Sequence, residues 1–308
     1  MARAPPGGGA ILAPVLGAIL TAMVTPFDPE GRVDHPAAGA LMRHLVANGS
    51  DGLVLAGTTG EASTLTDDER LELFRQGVAE IGDRATVVAG TGTNDTAHSV
   101  HLTEQARAIG VDAVLVVTPY YNRPPREGIA RHVRAIADVG LPVVLYNIPS
   151  RTGLNMEPDL IAELADIPNV IGVKQANPDL DQARAVRETT GLALYAGNDD
   201  MLMPILEMGG AGVISVASHL VGTRMQAIVD AARRGDLDEA RRIDEGLQDL
   251  YAGLFVTANP ILVKAALRML GLIPSDTLRL PLVEATPVQR DILRTVLDGQ
   301  GLMATAKP

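Results

Sequence analysis

A lysine closes a short apolar run in Asn169-Val170-Ile171-Gly172-Val173-Lys174-Gln175, and no residue in the sequence has a stronger claim to chemistry. If Val170 to Val173 form a buried strand, the Lys174 amine emerges at its carboxyl end. Burial disfavours an ammonium and frees a lone pair able to attack a carbonyl carbon, so the chemistry invited is imine formation. Standing alone, such a lysine is more often a solvated strand cap. Its weight comes from what ends the other apolar runs. Gly57-Thr58-Thr59-Gly60-Glu61 is a turn whose threonine hydroxyls and backbone N–H groups suit an anion. Thr118-Pro119-Tyr120-Tyr121-Asn122 and Tyr146-Asn147-Ile148-Pro149-Ser150-Arg151-Thr152-Gly153 carry three of the chain's five tyrosines. Two tyrosines and a threonine can relay protons between an amine, a substrate oxygen and solvent. Arg151, between a proline and a glycine, can grip a carboxylate at two points.

Other chemistries lack their residues. Gly90-Thr91-Gly92-Thr93-Asn94 does not end in the Gly-Lys-Ser/Thr of a phosphate loop and reads as a tight turn. His35, His44, His98, His101, His132 and His219 show no metal-ligand spacing with carboxylates at strand ends, the chain has no cysteine, and no Gly-x-Ser-x-Gly turn supports a serine nucleophile.

The elements that must position these residues are legible as an alternation. Apolar runs at Ile19 to Val24, Leu53 to Ala56, Thr86 to Ala89, Ala113 to Val117, Val143 to Tyr146, Val170 to Lys174, Ala193 to Ala196 and Gly212 to Val216 are separated by amphipathic segments. Runs such as Val114-Leu115-Val116-Val117 have no polar alternation, as parallel strands covered on both faces require. Between them, Thr66-Asp67-Asp68-Glu69 is a capping box ahead of Leu71, Phe74, Val78 and Ile81 at helical spacing. Eight βα units with no dinucleotide fingerprint predict a closed (β/α)8 barrel of the α/β class, not an open sheet. Residues 17–234 are assigned to the barrel and 235–308 to a C-terminal helical appendage of three helices. Leu237, Ala240, Leu247 and Leu250 stripe the first, Asn259-Pro260 caps and opens the second, and Thr286-Pro287 opens the third. Residues 1–16, with Pro5-Pro6-Gly7-Gly8-Gly9, read as a flexible extension.

Composition narrows the partners. A formal net charge of −11 argues against nucleic acid and anionic membranes. The most apolar stretch, Ala10 to Val24, is broken by Pro14 and Gly17 and is too short to span a bilayer, so a cytoplasmic location is expected.

The motifs quoted above, with Gly172-Val173-Lys174, Gly212-Val213-Ile214-Ser215-Val216, Asn259-Pro260-Ile261-Leu262-Val263-Lys264 and Asp276-Thr277-Leu278-Arg279-Leu280-Pro281, resemble the dihydrodipicolinate synthase and N-acetylneuraminate lyase superfamily. The similarity runs from about Gly17 to the end, and the tail looks like the synthase branch. It implies a lyase with no cofactor and no metal, in which Lys174 forms a Schiff base with pyruvate. Thr58, Tyr121 and Tyr146 would relay protons, with Tyr121 reaching a neighbouring subunit's site. Thr58 and Thr59 would hold the pyruvate carboxylate, and Gly197 and the Ile214 carbonyl would lie beside the substrate. Arg151 would receive the carboxylate of L-aspartate 4-semialdehyde, which favours synthesis toward diaminopimelate and lysine. A pyruvate-dependent aldolase acting on a sugar acid is the alternative, and a non-catalytic metabolite-binding barrel a lesser one. The resemblance further implies a homotetramer built as a dimer of dimers. Gln175 and Asn198 depart from the family pattern and are expected to bear on the second substrate.

Overall fold

The computed structural model describes residues 16–303. The extension expected over 1–16 therefore lies outside the described residues except for Leu16, which is buried with Leu20.

All eight apolar runs are strands: β1 (Ile19–Ala22), β2 (Gly52–Leu55), β3 (Thr86–Gly90), β4 (Ala113–Val117), β5 (Val143–Asn147), β6 (Val170–Gln175), β7 (Ala193–Ala196) and β8 (Gly212–Ser215). They pair in sequence order, all parallel, and β8 returns to β1 to close the barrel. Closure explains the unbroken apolar runs, because each strand is covered on both faces. Leu20, Val54, Val88, Leu115, Val144 and Ile214 fill the barrel interior. Their neighbours Ile19, Leu53, Val87, Val114, Leu145 and Val213 pack outward against the helices. The two-residue period of a strand thus decides which side chains can reach the mouth.

Local chemistry starts the helices where expected. Thr66 accepts the Glu69 N–H while the Glu69 carboxylate accepts the Thr66 N–H, opening helix Asp67–Ile81. Thr286 and Gln289 do the same for Pro287–Gly299.

Two expectations fail. The C-terminal region has four helices among the described residues, Leu237–Glu245, Gln248–Leu254, Ile261–Met269 and Pro287–Gly299, because Gly246 and Leu247 interrupt the first apolar stripe. Leu247 is fully buried at that break, so the stripe survives although the helix does not. Asn259 does not cap the second helix as the sequence suggests. Its amide donates instead to the Thr59 hydroxyl, 200 positions away, at 2.9 Å.

Asp244, at the end of Leu237–Glu245, is buried, and burial pushes its carboxyl up to about 6. One oxygen accepts from the Gln248 amide at 2.8 Å and the other has no partner. A folded-state value above the unfolded one means that this group's contribution to stability is full at low pH and is lost as pH rises through about 6. Asp244→Asn keeps an acceptor for Gln248 and removes the charge. Its melting temperature relative to the parent is therefore expected to improve as pH rises from about 3.5 to about 7.5, with most of the change complete near the folded value of about 6. A difference independent of pH would reject the assignment.

Candidate active site

Register brings the reactive side chains together. Tyr146 of β5 lies opposite Lys174 of β6, which lies opposite Tyr195 of β7. Both tyrosines belong to the interior cluster, and the Lys174 ammonium sits 4.4 Å from the centre of the Tyr146 ring. Tyr195 closes the floor, its hydroxyl donating to the Gly17 carbonyl at 3.0 Å.

Lys174 is 5% exposed, and among the described residues no carboxylate forms an ion pair with it. The chain has three lysines, Lys174, Lys264 and Lys307, the last outside the described residues. Lys264 is buried too, but its ammonium lies 2.6 Å from Glu61. A buried amine facing an aromatic ring, with no carboxylate in ion-pair contact, is available to react in a way that a paired one is not.

Against Tyr146 opens a cavity of about 270 Å³, lined also by Thr58, Arg151, Arg70, Tyr120 and Ile148 among others. Thr58 arrives on the turn after β2, and Arg151 on the single helical turn Pro149–Thr152 after β5. Arg151 is exposed, has no carboxylate partner among the described residues, and makes only a long 3.5 Å contact to the Asn259 carbonyl. Arg70, not expected from the sequence to line this cavity, is 7% exposed and donates to the Ala62 carbonyl at 2.6 Å, while its Nε has no partner. Burial pulls its guanidinium below the ordinary value. Its position on a helix gave no sign that it would face a cavity shaped by the β2 and β4 turns.

Other expected residues stand further back. Thr59 is buried with its hydroxyl engaged by Asn259, and the Ile214 side chain is part of the interior packing. Gly197 extends the ladder beyond β7 by donating to the Gln175 carbonyl at 2.7 Å. A Cβ there would fall 2.5–2.8 Å from Ala176 atoms, so only glycine fits. Tyr121 is 92% exposed, with a left-handed φ of +73°, and does not line the cavity of its own chain.

Gln175 is placed differently from expectation. One position beyond Lys174, it points out of the barrel, fully buried, and accepts from the Asn147 amide at 3.1 Å. Strand alternation forbids adjacent residues from sharing the interior, so Gln175 does not face a substrate at the mouth. Asn147 ties this position to Asn155 and Met156, which anchors the segment after β5.

Asp199, in the turn after β7, is a further buried acid. It accepts from the Ser215 hydroxyl at 2.5 Å and from the backbone N–H groups of Val216 and Ala217. Burial raises its carboxyl, opposed by those bonds and by the charge of Lys174. It joins the β7 and β8 ends beside the lysine. Among the described residues no group of three or more potential ligands is arranged to hold a metal ion, and no helix is long and apolar enough to cross a membrane.

The model of the dihydrodipicolinate synthetase family matches residues 15–300. A 4-hydroxy-tetrahydrodipicolinate synthase of Moorella thermoacetica is 48% identical over 290 residues, covering 93% of this chain and 99% of that protein. Among solved structures, DHDPS from Cyanidioschyzon merolae with lysine bound is 43% identical with a TM-score of 0.91, covering 94% of this chain and 99% of that one. The chloride-inhibited dihydrodipicolinate synthase of Acinetobacter baumannii, complexed with pyruvate, is 35% identical with a TM-score of 0.91, covering 94% and 100% respectively.

The outward placement of Gln175 makes it a packing residue. Gln175→Ala is expected to destabilise the fold by about 1–3 kcal/mol in denaturant titrations, through a lost hydrogen bond and a small cavity. Reactivity of the Lys174 amine and ligand affinity at the cavity should be unchanged. A selective change in ligand affinity in a stably folded variant would return Gln175 to the site.

Proposed function

The chain belongs to the dihydrodipicolinate synthetase family, and from that premise we propose that Lys174 carries its chemistry as the imine-forming amine. The activity is that of a 4-hydroxy-tetrahydrodipicolinate synthase, a lyase of diaminopimelate and lysine biosynthesis, acting on pyruvate and L-aspartate 4-semialdehyde. The observation that carries the assignment of Lys174 is its burial against Tyr146 without a counter-ion.

Lys174 attacks the keto carbon of pyruvate, and loss of water leaves a protonated imine. That cation draws electrons from the neighbouring methyl carbon, so a proton leaves and an enamine forms. The enamine carbon then bonds to the aldehyde carbon of the second substrate, whose oxygen takes up a proton, and the imine is regenerated; attack on it by that substrate's own amino group closes a ring and expels the Lys174 amine. Because the imine is itself the electron sink, the step requires neither an organic cofactor nor a metal. Tyr146, touching the amine, moves protons to and from it together with Thr58. The Thr58–Thr59 turn holds the pyruvate carboxylate, and Gly197 and the Ile214 carbonyl border the bound keto acid. Arg151, free of any protein carboxylate, takes the carboxylate of the aldehyde.

Tyr121 completes the relay from a neighbouring subunit. Its exposure and constrained backbone suit a side chain built to enter another molecule, and this requires at least a dimer; a homotetramer of two such dimers is the assembly proposed.

Borohydride with pyruvate should add a reduced adduct to Lys174 alone, and Lys174→Ala should abolish it; an adduct on Lys264 would overturn the assignment. Arg151→Ala should keep the pyruvate adduct but lose about 10- to 100-fold in kcat/KM for aspartate semialdehyde, since a charge-assisted carboxylate contact is removed. Unchanged kinetics would remove Arg151 from the mechanism. Mixing subunits of two inactive variants, Lys174→Ala and Tyr121→Phe, should restore part of the activity through hybrid sites. No recovery after verified subunit exchange would refute the role across subunits.

A further inference from the structure

Glu61 ends the Thr58–Thr59 turn in a left-handed conformation, φ +56° and ψ +37°, which is uncommon for a residue with a side chain. Its carboxylate is almost wholly buried, and both oxygens are taken from the C-terminal region. Lys264 of helix Ile261–Met269 donates to one at 2.6 Å, and the Arg279 backbone N–H donates to the other at 3.0 Å. The Lys264 ammonium is fully buried, donates also to the Thr277 carbonyl at 2.7 Å, and rests 4.1 Å from the centre of the Phe27 ring. The Glu61 N–H in turn donates to the Thr58 carbonyl at 3.1 Å, and the Ala62 N–H to the Gly57 carbonyl at 3.2 Å. Movement of Glu61 is therefore passed to the turn that carries both threonines.

The opposite side of the turn is held from the same region. The Asn259 amide donates to the Thr59 hydroxyl oxygen at 2.9 Å, which leaves the hydroxyl proton to be given to another acceptor.

Stability alone is a poor reason for the buried pair, since desolvating two charges offsets most of their attraction. Nor is it needed as a staple. Arg279 already fastens the tail to the barrel through both Glu69 oxygens and the carbonyls of Gly31 and Thr64.

We propose that Lys264 and Asn259 are positioning residues: acting through Glu61 and Thr59, they shape the Thr58–Thr59 turn into a cradle for the keto acid's carboxylate. The C-terminal helices thereby set affinity for the keto acid, while the chemistry at Lys174 is left to the barrel. This rests on the reading of Thr58 and Thr59 as the carboxylate's holders.

The test compares Lys264→Met, Glu61→Gln, the two combined, and Asn259→Ala with the parent, by steady-state kinetics and by borohydride trapping across pyruvate concentration. Expected are increases of about 10- to 100-fold in KM for pyruvate and in the half-saturating concentration for trapping in the first two variants, as for a disrupted buried charge pair. Asn259→Ala should move both by about 3- to 10-fold, the scale of one hydrogen bond. In every case kcat at saturation and KM for the aldehyde should stay within about threefold, because only ground-state binding of the keto acid is altered. The combined variant should bind pyruvate better than either single one, having no unpaired buried charge. Folded variants with parental pyruvate affinity, or losses falling on kcat instead, would overturn the proposal. Should the charge variants fail to fold, Asn259→Ala decides it, and unchanged affinity there overturns it. Absence of any pyruvate adduct on parental Lys174 would instead defeat the functional reading itself.

Discussion

The structure turns on one buried amine that no ion pair holds among the described residues. Lys174 lies inside a barrel whose walls are aliphatic, and burying an ammonium without a partner is unfavourable. What makes the position tolerable is local: a tyrosine ring at 4.4 Å that also lines the cavity, and the Asp199 carboxyl nearby. The barrel's closure is what holds that arrangement, since Tyr146, Lys174 and Tyr195 sit in adjacent strands at one level only because the β5–β6 and β6–β7 registers put them there. A slip of one residue would turn Lys174 outward and Gln175 inward.

The second buried lysine shows how different the same side chain becomes when paired. Lys264 has a carboxylate, a carbonyl and a ring around it, and is thereby engaged as an ammonium. Burial alone therefore does not mark a reactive amine. The distinction lies in whether the surroundings supply a fixed acceptor, and by it the two buried lysines of this chain differ.

Much of this was legible in the sequence because it depends on local pattern. Eight apolar runs gave eight strands, since two-sided burial leaves no polar alternation, and Thr66 with Glu69 started a helix by bonds spanning three residues. The amine at Lys174 and the ring at Tyr146 were readable as strand ends. What escaped depends on distant partners. Asn259-Pro260 has the look of a cap, but its amide serves Thr59 on the far side of the chain; a capping rule sees only the next few residues. Gln175 drew attention as the lysine's neighbour, yet sequence adjacency in a strand means opposite faces. Arg70 lies among ordinary helix residues, and only the folded turn beyond β2 makes it a wall of the cavity.

The same separation of local from distant bears on how the site is divided. The barrel interior supplies the amine and the ring from strands, where side chains are fixed by register and packing. The groups expected to meet carboxylates, Thr58, Thr59 and Arg151, come instead from turns, which by themselves are the least constrained parts of a barrel. Here the turn after β2 is bound to residues about 200 positions later, and Arg151 lies beside the Asn259 carbonyl. Rigidity that a turn cannot generate from its own backbone is thus provided by the C-terminal helices. Tyr121, by contrast, is left-handed and faces solvent, outside the cavity of its own chain.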